Sequence, residues 1–301
     1  MRPKGVASCP VTDESATARR GDDVLLPATR LLAAVIIPVL VAAFAILFGF
    51  PGATPRLWAW TIRPELASLV MGGAYLAGAW FFARGLYVGH WHSVAVGWLA
   101  VIPFTTLLGV ATIIHWDKFN HGHVSFWAWL ILYTATPVAL PALWLRNQRA
   151  AGLPTPVSDP QLAMPLRVLM SSCGGALMIA AAIIYIRPTT AISRWPWMLT
   201  PLTARTLASF ATFLAVVWLA FGFTAQWSRL AIPFEATTLG LVIVAVAVVR
   251  GRHDLVGGPR TAAFGVLLGG AVLGSLTVLR WTGRHRRCGP SNPNDSRCPQ
   301  R

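Results

Sequence analysis

The chain is short of charged side chains, and the shortage is greatest for acidic residues and for lysine. Only 12% of its 301 residues are charged and 10 are acidic, whereas a soluble domain carries about 25% charged residues. So few charges cannot cover a globular domain with polar side chains, which excludes a water-soluble fold. Because 55% of the residues are hydrophobic, the composition predicts a protein that lives in a lipid bilayer.

Cysteine is also scarce, and the four cysteines have the spacing of neither a disulfide framework nor a zinc site. Cys9, Cys288 and Cys298 fall in polar tails, and Cys173 falls in an apolar stretch. We interpret all four as unpaired thiols. The sequence also contains no nucleophile motif, no phosphate-binding loop and no paired prenyl-type aspartates, so it does not indicate an enzyme.

Long apolar stretches are plentiful, and eight of them can cross about 30 Å of hydrocarbon, which takes roughly 20 helical residues. They are Leu31–Phe50, Leu66–Ala83, Val94–Ile114, Val124–Leu145, Val168–Ile186, Thr206–Ala225, Leu230–Val249 and Thr261–Leu279. Backbone groups in lipid must be satisfied internally, and the alternation of barrel strands is absent. We therefore predict an all-α polytopic membrane protein with eight transmembrane helices. A long polar segment precedes the first stretch, so we expect an uncleaved helix rather than a signal peptide.

The basic residues predict the orientation. With the N-terminus in the cytoplasm, most of the arginines and lysines that would lie inside are in three segments: the tail 1–30, a linker 146–165 and the tail 281–301. The cytoplasmic segments together would then hold more than half of the 25 arginines and lysines. We predict a protein of the bacterial cytoplasmic membrane with both termini cytoplasmic. Its partners are then the lipid bilayer and, at the basic tails, anionic lipid. No nucleic-acid partner is expected.

The linker divides the membrane part into two halves, 31–145 and 166–280, which share a pattern. Each half has two tryptophans between two prolines, and each member of the second set lies 137 positions after its partner: Pro51/Pro188, Trp58/Trp195, Trp60/Trp197 and Pro64/Pro201. Halves with an even number of helices are parallel repeats if they arose by duplication. We predict two parallel four-helix repeats; the alternative is a coincidence between two interfacial loops, where Trp is common.

The stretch "HWDKFNHGH" (115–123) is the richest polar turn between two apolar stretches. With the N-terminus inside, this turn and both Trp-x-Trp turns face outward. Its candidate ligands for a divalent metal are His115, Asp117, His121 and His123. His121 and His123 can meet at one metal only if the turn around Gly122 is non-helical. The alternative is an ordinary loop at the water boundary, and no His-Glu-x-x-His signature is present.

A second group of polar and aromatic residues is a candidate for an outer-face or pathway site. Its members are Trp58, Trp60, Arg63, Glu65, Trp195, Trp197, Arg205, Glu235 and Asp254. Glu65 is either a proton or cation site beside Arg63 or an ordinary helix start. Glu235 lies inside an apolar stretch, where a carboxylate usually faces a cavity or a partner, and its depth separates it from Arg205. Asp254 stands 137 positions after Asp117, so two outer turns share an acidic residue.

The phrases "WAWTIRPE" and "HWDKFNHGH", the latter followed by "FWAW", resemble those of uncharacterised multi-pass membrane proteins of GC-rich, actinobacterial-type bacteria. This resemblance implies no activity. Two four-helix halves with histidines near outer helix ends are also similar to haem A synthases, which implies a histidine pair at matching places in each half. Here His115 is matched by Arg252, with only His253 adjacent.

Three classes of function remain open. Paired halves, prolines inside the apolar stretches and Glu235 favour transport of a small solute or ion through the interface of the halves. The first alternative is an outward-facing metal- or haem-binding protein of oxidoreductase type, in which a divalent metal is preferred to haem. The second is a structural or assembly protein without chemistry.

Overall fold

Eight long helices dominate the structure, a computed structural model that describes residues 23–151, 159 and 161–287. They are α1 (Pro27–Phe44), α2 (Glu65–Val88), α3 (Ala95–Ile114), α4 (Val124–Ala150), α5 (Met164–Ile186), α6 (Pro201–Phe223), α7 (Trp227–Arg250) and α8 (Gly258–Arg287). All eight are long and apolar enough to cross a membrane. Within the described ranges there is no strand, only two isolated β-bridges. The prediction of an all-α membrane protein with eight transmembrane helices is confirmed.

Several helices extend beyond the apolar stretches that predicted them. α2 runs to Val88 instead of ending at Ala83, and α4 runs to Ala150 instead of Leu145. Helical hydrogen bonding continues outside hydrocarbon, and tertiary contacts hold these extra turns. Asn147, for example, is 1% exposed and accepts a hydrogen bond from the backbone N–H of Leu26 at 3.1 Å.

Parts of the predicted tails and linker lie outside the described residues. These parts are 1–22, 152–158, 160 and 288–301, which include Cys9, Cys288 and Cys298. The described cysteine, Cys173, is free and exposed on α5. The predictions for the basic tails and their anionic lipid therefore stay predictions.

The connections between helices gather at two opposite ends of the bundle. The turn side consists of residues 50–64, 115–123, 187–200 and 251–257. Its turns contact one another: the N–H of Asn120 donates to the carbonyl of Ala59 at 2.8 Å, and the N–H of Val256 donates to Pro196 at 2.9 Å. The opposite end, the termini side, carries the beginning of α1 and the end of α8.

The core lies where the two halves of the chain meet. α2 packs against α1 and, across the halves, against α7; α6 packs against α5 and, across the halves, against α3. In its most apolar stretch α2 is 61% buried, whereas α8 is 11% buried. The central helices thus bury their surface against each other, and α8 leaves most of its surface for lipid.

Candidate functional site

The Trp-x-Trp turns fold into the bundle instead of lying flat at the membrane boundary. Trp58, Trp60 and Trp197 are 7%, 3% and 1% exposed. The ring centroids of Trp60 and Trp129 are 4.8 Å apart, and those of Trp195 and Trp197 are 5.3 Å apart. Within the described part of the chain, the indole nitrogens of all four turn tryptophans are buried and have no hydrogen-bond partner. The two turns therefore act mainly as aromatic packing.

Beneath the second Trp-x-Trp turn lies a cavity of about 300 Å³. Its wall includes residues of both halves, from every long helix except α5. Ala74 of α2 and Ala211 of α6 lie in this wall, and so do the rings of Phe81, Phe104 and Phe210. We call it the central cavity. It lies at the interface of the two halves, where the sequence predicted a pathway.

Among the residues described, the wall of the central cavity holds no charged side chain, and each of its hydroxyl groups takes part in a hydrogen bond. Their hydrogen bonds are Tyr75 with Tyr133 at 3.1 Å, Thr105 to the carbonyl of Val101 at 3.0 Å, Thr136 to Leu132 at 2.5 Å and Thr237 to Phe234 at 3.0 Å. The indole nitrogens of Trp195 and Trp197 are buried within the protein. An ion or sugar-like solute would lose its water here and gain few hydrogen bonds in return, which costs several kcal/mol per unpaired polar group. The wall suits hydrocarbon.

His115, the first predicted metal ligand, contacts an arginine of the other half. The guanidinium Nη1 of Arg205 donates to Nε2 of His115 at 2.7 Å, and its Nε donates to the carbonyl of Tyr185 at 3.1 Å. Burial lowers the pKa of His115, and the positive charge of Arg205 lowers it further. A neutral imidazole with a free Nε2 lone pair fits this contact.

The other three predicted ligands point to different partners. Asp117 forms an ion pair with Lys118 at 2.7 Å, and this hydrogen bond lowers the pKa of Asp117. The ring of His121 packs beside Trp116, with centroids 5.0 Å apart, and His123 precedes the first residue of α4. Among the residues that the structure describes, no group of three or more His, Cys, Asp or Glu side chains is placed to hold a metal ion.

Asp254 and Glu65 both lie at the start of α2. A carboxylate oxygen of Asp254, from the turn between α7 and α8, accepts a hydrogen bond from the backbone N–H of Leu66 at 2.8 Å. It satisfies one of the free N–H groups at a helix start, the function of an N-cap. Glu65 lies against Gly52, and in the described chain it forms no ion pair with Arg63. A proton or cation site at Glu65 beside Arg63, one of the two alternatives for this residue, stays a prediction.

Glu235 has the partner that an intramembrane carboxylate needs, and the partner is Arg84. Nε of Arg84 donates to Oε2 of Glu235 at 3.2 Å, across the interface of α2 and α7. Both side chains are about a third exposed, at 32% and 29%. The sequence contained a usable signal. Arg84 follows the end of one apolar stretch and Glu235 lies near the start of another, and the predicted topology puts both on the cytoplasmic side of the membrane. Arg205 instead contacts His115 and the carbonyl of Tyr185.

Eight helices long and apolar enough to cross a membrane, seven of which line an apolar cavity, define an integral multi-pass membrane protein. No protein-family model, no curated protein and no solved structure matches the chain. The resemblances to uncharacterised actinobacterial-type membrane proteins and to haem A synthases therefore stay predictions.

Proposed function

We propose that the protein binds a lipophilic molecule in the central cavity and carries it within the membrane. This is the lipophilic form of the transport function that the sequence predicted. The observation that supports it is the wall of the cavity, in which each hydroxyl group takes part in a hydrogen bond and no described side chain is charged. A hydrocarbon chain gives up no hydrogen bonds when it enters such a cavity, whereas an ion gives up its bound water.

The size of the cavity indicates the size of the molecule. An engineered apolar cavity of about 150 Å³ holds one benzene, so about 300 Å³ accommodates roughly a dozen carbon atoms. That corresponds to a small lipophilic solute or to one segment of an acyl or isoprenoid chain. We infer that hydrocarbon fills the cavity and that any polar group of the molecule remains outside it.

The arrangement of the helices supports the predicted repeat and a carrier function. The first membrane segment spans Pro27–Gly49 and the fifth spans Met164–Ile186, so their starts and their ends are each 137 positions apart. The central helices exchange partners between the halves, since α2 packs on α7 and α6 packs on α3. In carriers built from repeats, one half rocks against the other around a site between them. The central cavity lies at such an interface.

Photolabelling can test the binding. The full-length protein in lipid nanodiscs is illuminated with a diazirine-bearing fatty acid of about 12 carbons, and the labelled peptides are mapped by mass spectrometry. We expect label on α2 and α6 peptides of the cavity wall. Ala74→Phe and Ala211→Phe fill the cavity from opposite walls and should each lower that label about fivefold.

The matched control is Ala180→Phe, which makes the same substitution at an exposed position of α5. It should leave the label in the wall unchanged. Equal label in all three variants would contradict the proposal. For transport, a fluorescent fatty acid should exchange between leaflets faster in proteoliposomes with the wild-type protein than with Ala74→Phe.

A further inference from the structure

A second cavity, of about 220 Å³, lies on the termini side of the bundle. It is formed by the segment before α1, the start of α3, the end of α4 and the start of α7. Its apolar lining is Trp91, Ala95, Val96, Leu99, Trp144 and Ala151, and its polar lining is Asp23, His92, Gln148 and Arg229. We call it the termini-side cavity. Unlike the central cavity, it has polar side chains in one wall and hydrocarbon in the other.

The carboxylate of Asp23 is occupied by the segment before α3. Asp23 accepts a hydrogen bond from the backbone N–H of His92 at 3.1 Å and contacts Nδ1 of the same histidine. The ring of His90 lies 3.7 Å from the same carboxylate oxygen. Asp23 is 10% exposed. The carboxylate oxygens of Asp23 thus already have partners in the segment before α3. In the cavity wall, Asp23 serves mainly to position His92.

Two groups in the cavity wall are left to donate hydrogen bonds. The indole N–H of Trp91, a residue that is 2% exposed, donates to Oε1 of Gln148 at 3.0 Å. This bond fixes the amide and leaves its N–H₂ group without a partner in the described chain. The guanidinium of Arg229 likewise forms no ion pair or side-chain hydrogen bond with any residue described. A free guanidinium beside a free amide suits an oxygen-bearing anion such as phosphate.

The apolar wall connects the cavity to the lipid-facing surface of α3. Leu99 in this wall is 45% exposed, and Val110 and Ile113 further along the helix are 40% and 70% exposed. Residues 99, 110 and 113 share one helical face, because 11 residues make close to three turns. An exposed apolar face of a membrane-crossing helix contacts acyl chains. The apolar wall of the cavity therefore reaches the exposed face of α3 at Leu99.

We propose that the termini-side cavity binds the phosphate headgroup of an anionic lipid from the adjacent leaflet. Arg229 and the amide of Gln148 donate to the phosphate oxygens, and the first methylenes lie along Val96 and Leu99. Basic pockets between membrane helices bind lipid headgroups through such chemistry. The site is separate from the central cavity and does not depend on the function proposed for it.

Native mass spectrometry of the full-length protein in detergent tests the site. The protein is titrated with phosphatidylglycerol, with phosphatidylcholine of the same chains and with inorganic phosphate. We expect retention of phosphatidylglycerol over phosphatidylcholine, and a loss of about fivefold in its affinity in Arg229→Ala. Arg229→Lys should recover part of this loss. Gln148→Leu, which removes the other donor, should also weaken retention.

The matched control is Arg146→Ala, which removes the same charge from an exposed position of α4 at the same end of the bundle. It should retain phosphatidylglycerol as the wild type does, and the thermal midpoints of all variants establish that they are folded. Equal retention by Arg229→Ala and Arg146→Ala, or equal retention of both lipids, would overturn the proposal. Displacement of phosphatidylglycerol by equimolar inorganic phosphate would also overturn it, because the site would then be one for free phosphate.

Discussion

Asp117 and Asp254 lie 137 positions apart, in the corresponding turns of the two halves, and they make different contacts. Asp117 is 69% exposed and pairs with its neighbour Lys118. Asp254 is 17% exposed and caps α2 of the other half through the N–H of Leu66. The same residue type, at positions that the predicted repeat relates, is therefore peripheral in one turn and structural in the other.

The starts of α2 and α6 show the consequence of this difference. α6 is capped locally, because the side chain of Thr200 accepts a hydrogen bond from the N–H of Thr203 at 3.2 Å. Before α2 the structure has no such local cap, and the cap comes from the second half. Arg250 forms a second contact between the halves, because its guanidinium donates a hydrogen bond to the carbonyl of Phe48 at 2.6 Å. The first half therefore depends on the turn side of the second half more than the reverse.

The largest effect is expected where the halves differ in helix packing. At Gly174 an added Cβ would lie 2.5 Å from the backbone nitrogen of Leu219, so α5 and α6 meet there backbone to backbone. Ile37 lies 137 positions earlier, in the first half. Gly174→Ala should cost about 3 kcal/mol through overpacking, measured by denaturant unfolding in detergent. The adjacent Gly175→Ala, whose Cβ would lie 3.8 Å from Leu219, is the control and should be nearly neutral.

A smaller effect is expected from the two aspartates. Asp254→Ala removes the cap of α2 and should lower the free energy of unfolding by about 1 kcal/mol. Asp117→Ala should produce no measurable change, because its ion pair is exposed to water. The thermal midpoints of both variants, measured by circular dichroism, test the asymmetry. Equal midpoints would mean that the two turns are equivalent after all.

The smallest effect is expected from pH and depends on His115. Its pKa in the folded protein is lowered from the ordinary value of 6.5, so the folded state takes up a proton less readily than the unfolded chain. His115 therefore contributes stability above pH 6.5, and this contribution is lost as the pH falls through the lowered folded pKa. The thermal midpoint of the wild type should therefore fall as the pH is lowered from about 8 to about 5.

His115→Gln should make that decline shallower, because the amide oxygen can accept from Arg205 without titrating. His253→Gln is the control from the other half, since His253 is 64% exposed. It should leave the slope unchanged. An identical slope in the wild type and His115→Gln would show that other groups cause the decline.

Individual residues show how far prediction from sequence reached. Glu235 was expected to have a partner or face a cavity because charge is costly in lipid, but its partner Arg84 lies 151 positions away. The metal prediction rested on closeness in sequence within 115–123. The short 3₁₀ helix there directs Asp117 toward Lys118, while His115 turns to Arg205. Side-chain direction depends on backbone geometry and neighbours that spacing does not contain.

The ends of the helices and the positions of the cavities could not be predicted from local sequence patterns, for a related reason. A helix end near the membrane surface is set by contacts such as that of Asn147 with Leu26, which lie 121 positions apart. The central cavity is the space left where seven helices meet, and its volume depends on every crossing angle and side chain at once. Residues such as Ala74 and Ala211 look like ordinary apolar residues until the wall is assembled.

The amino-acid sequence by itself determined the class of protein and its eight membrane-crossing helices, because transfer of apolar side chains into lipid and internal hydrogen bonding of the backbone are properties of each stretch alone. Only the tertiary structure decided which charges meet, which turn caps which helix and where space remains. Those features join residues of different halves, and their energies depend on distance and burial. Distance and burial exist only once the helices have packed.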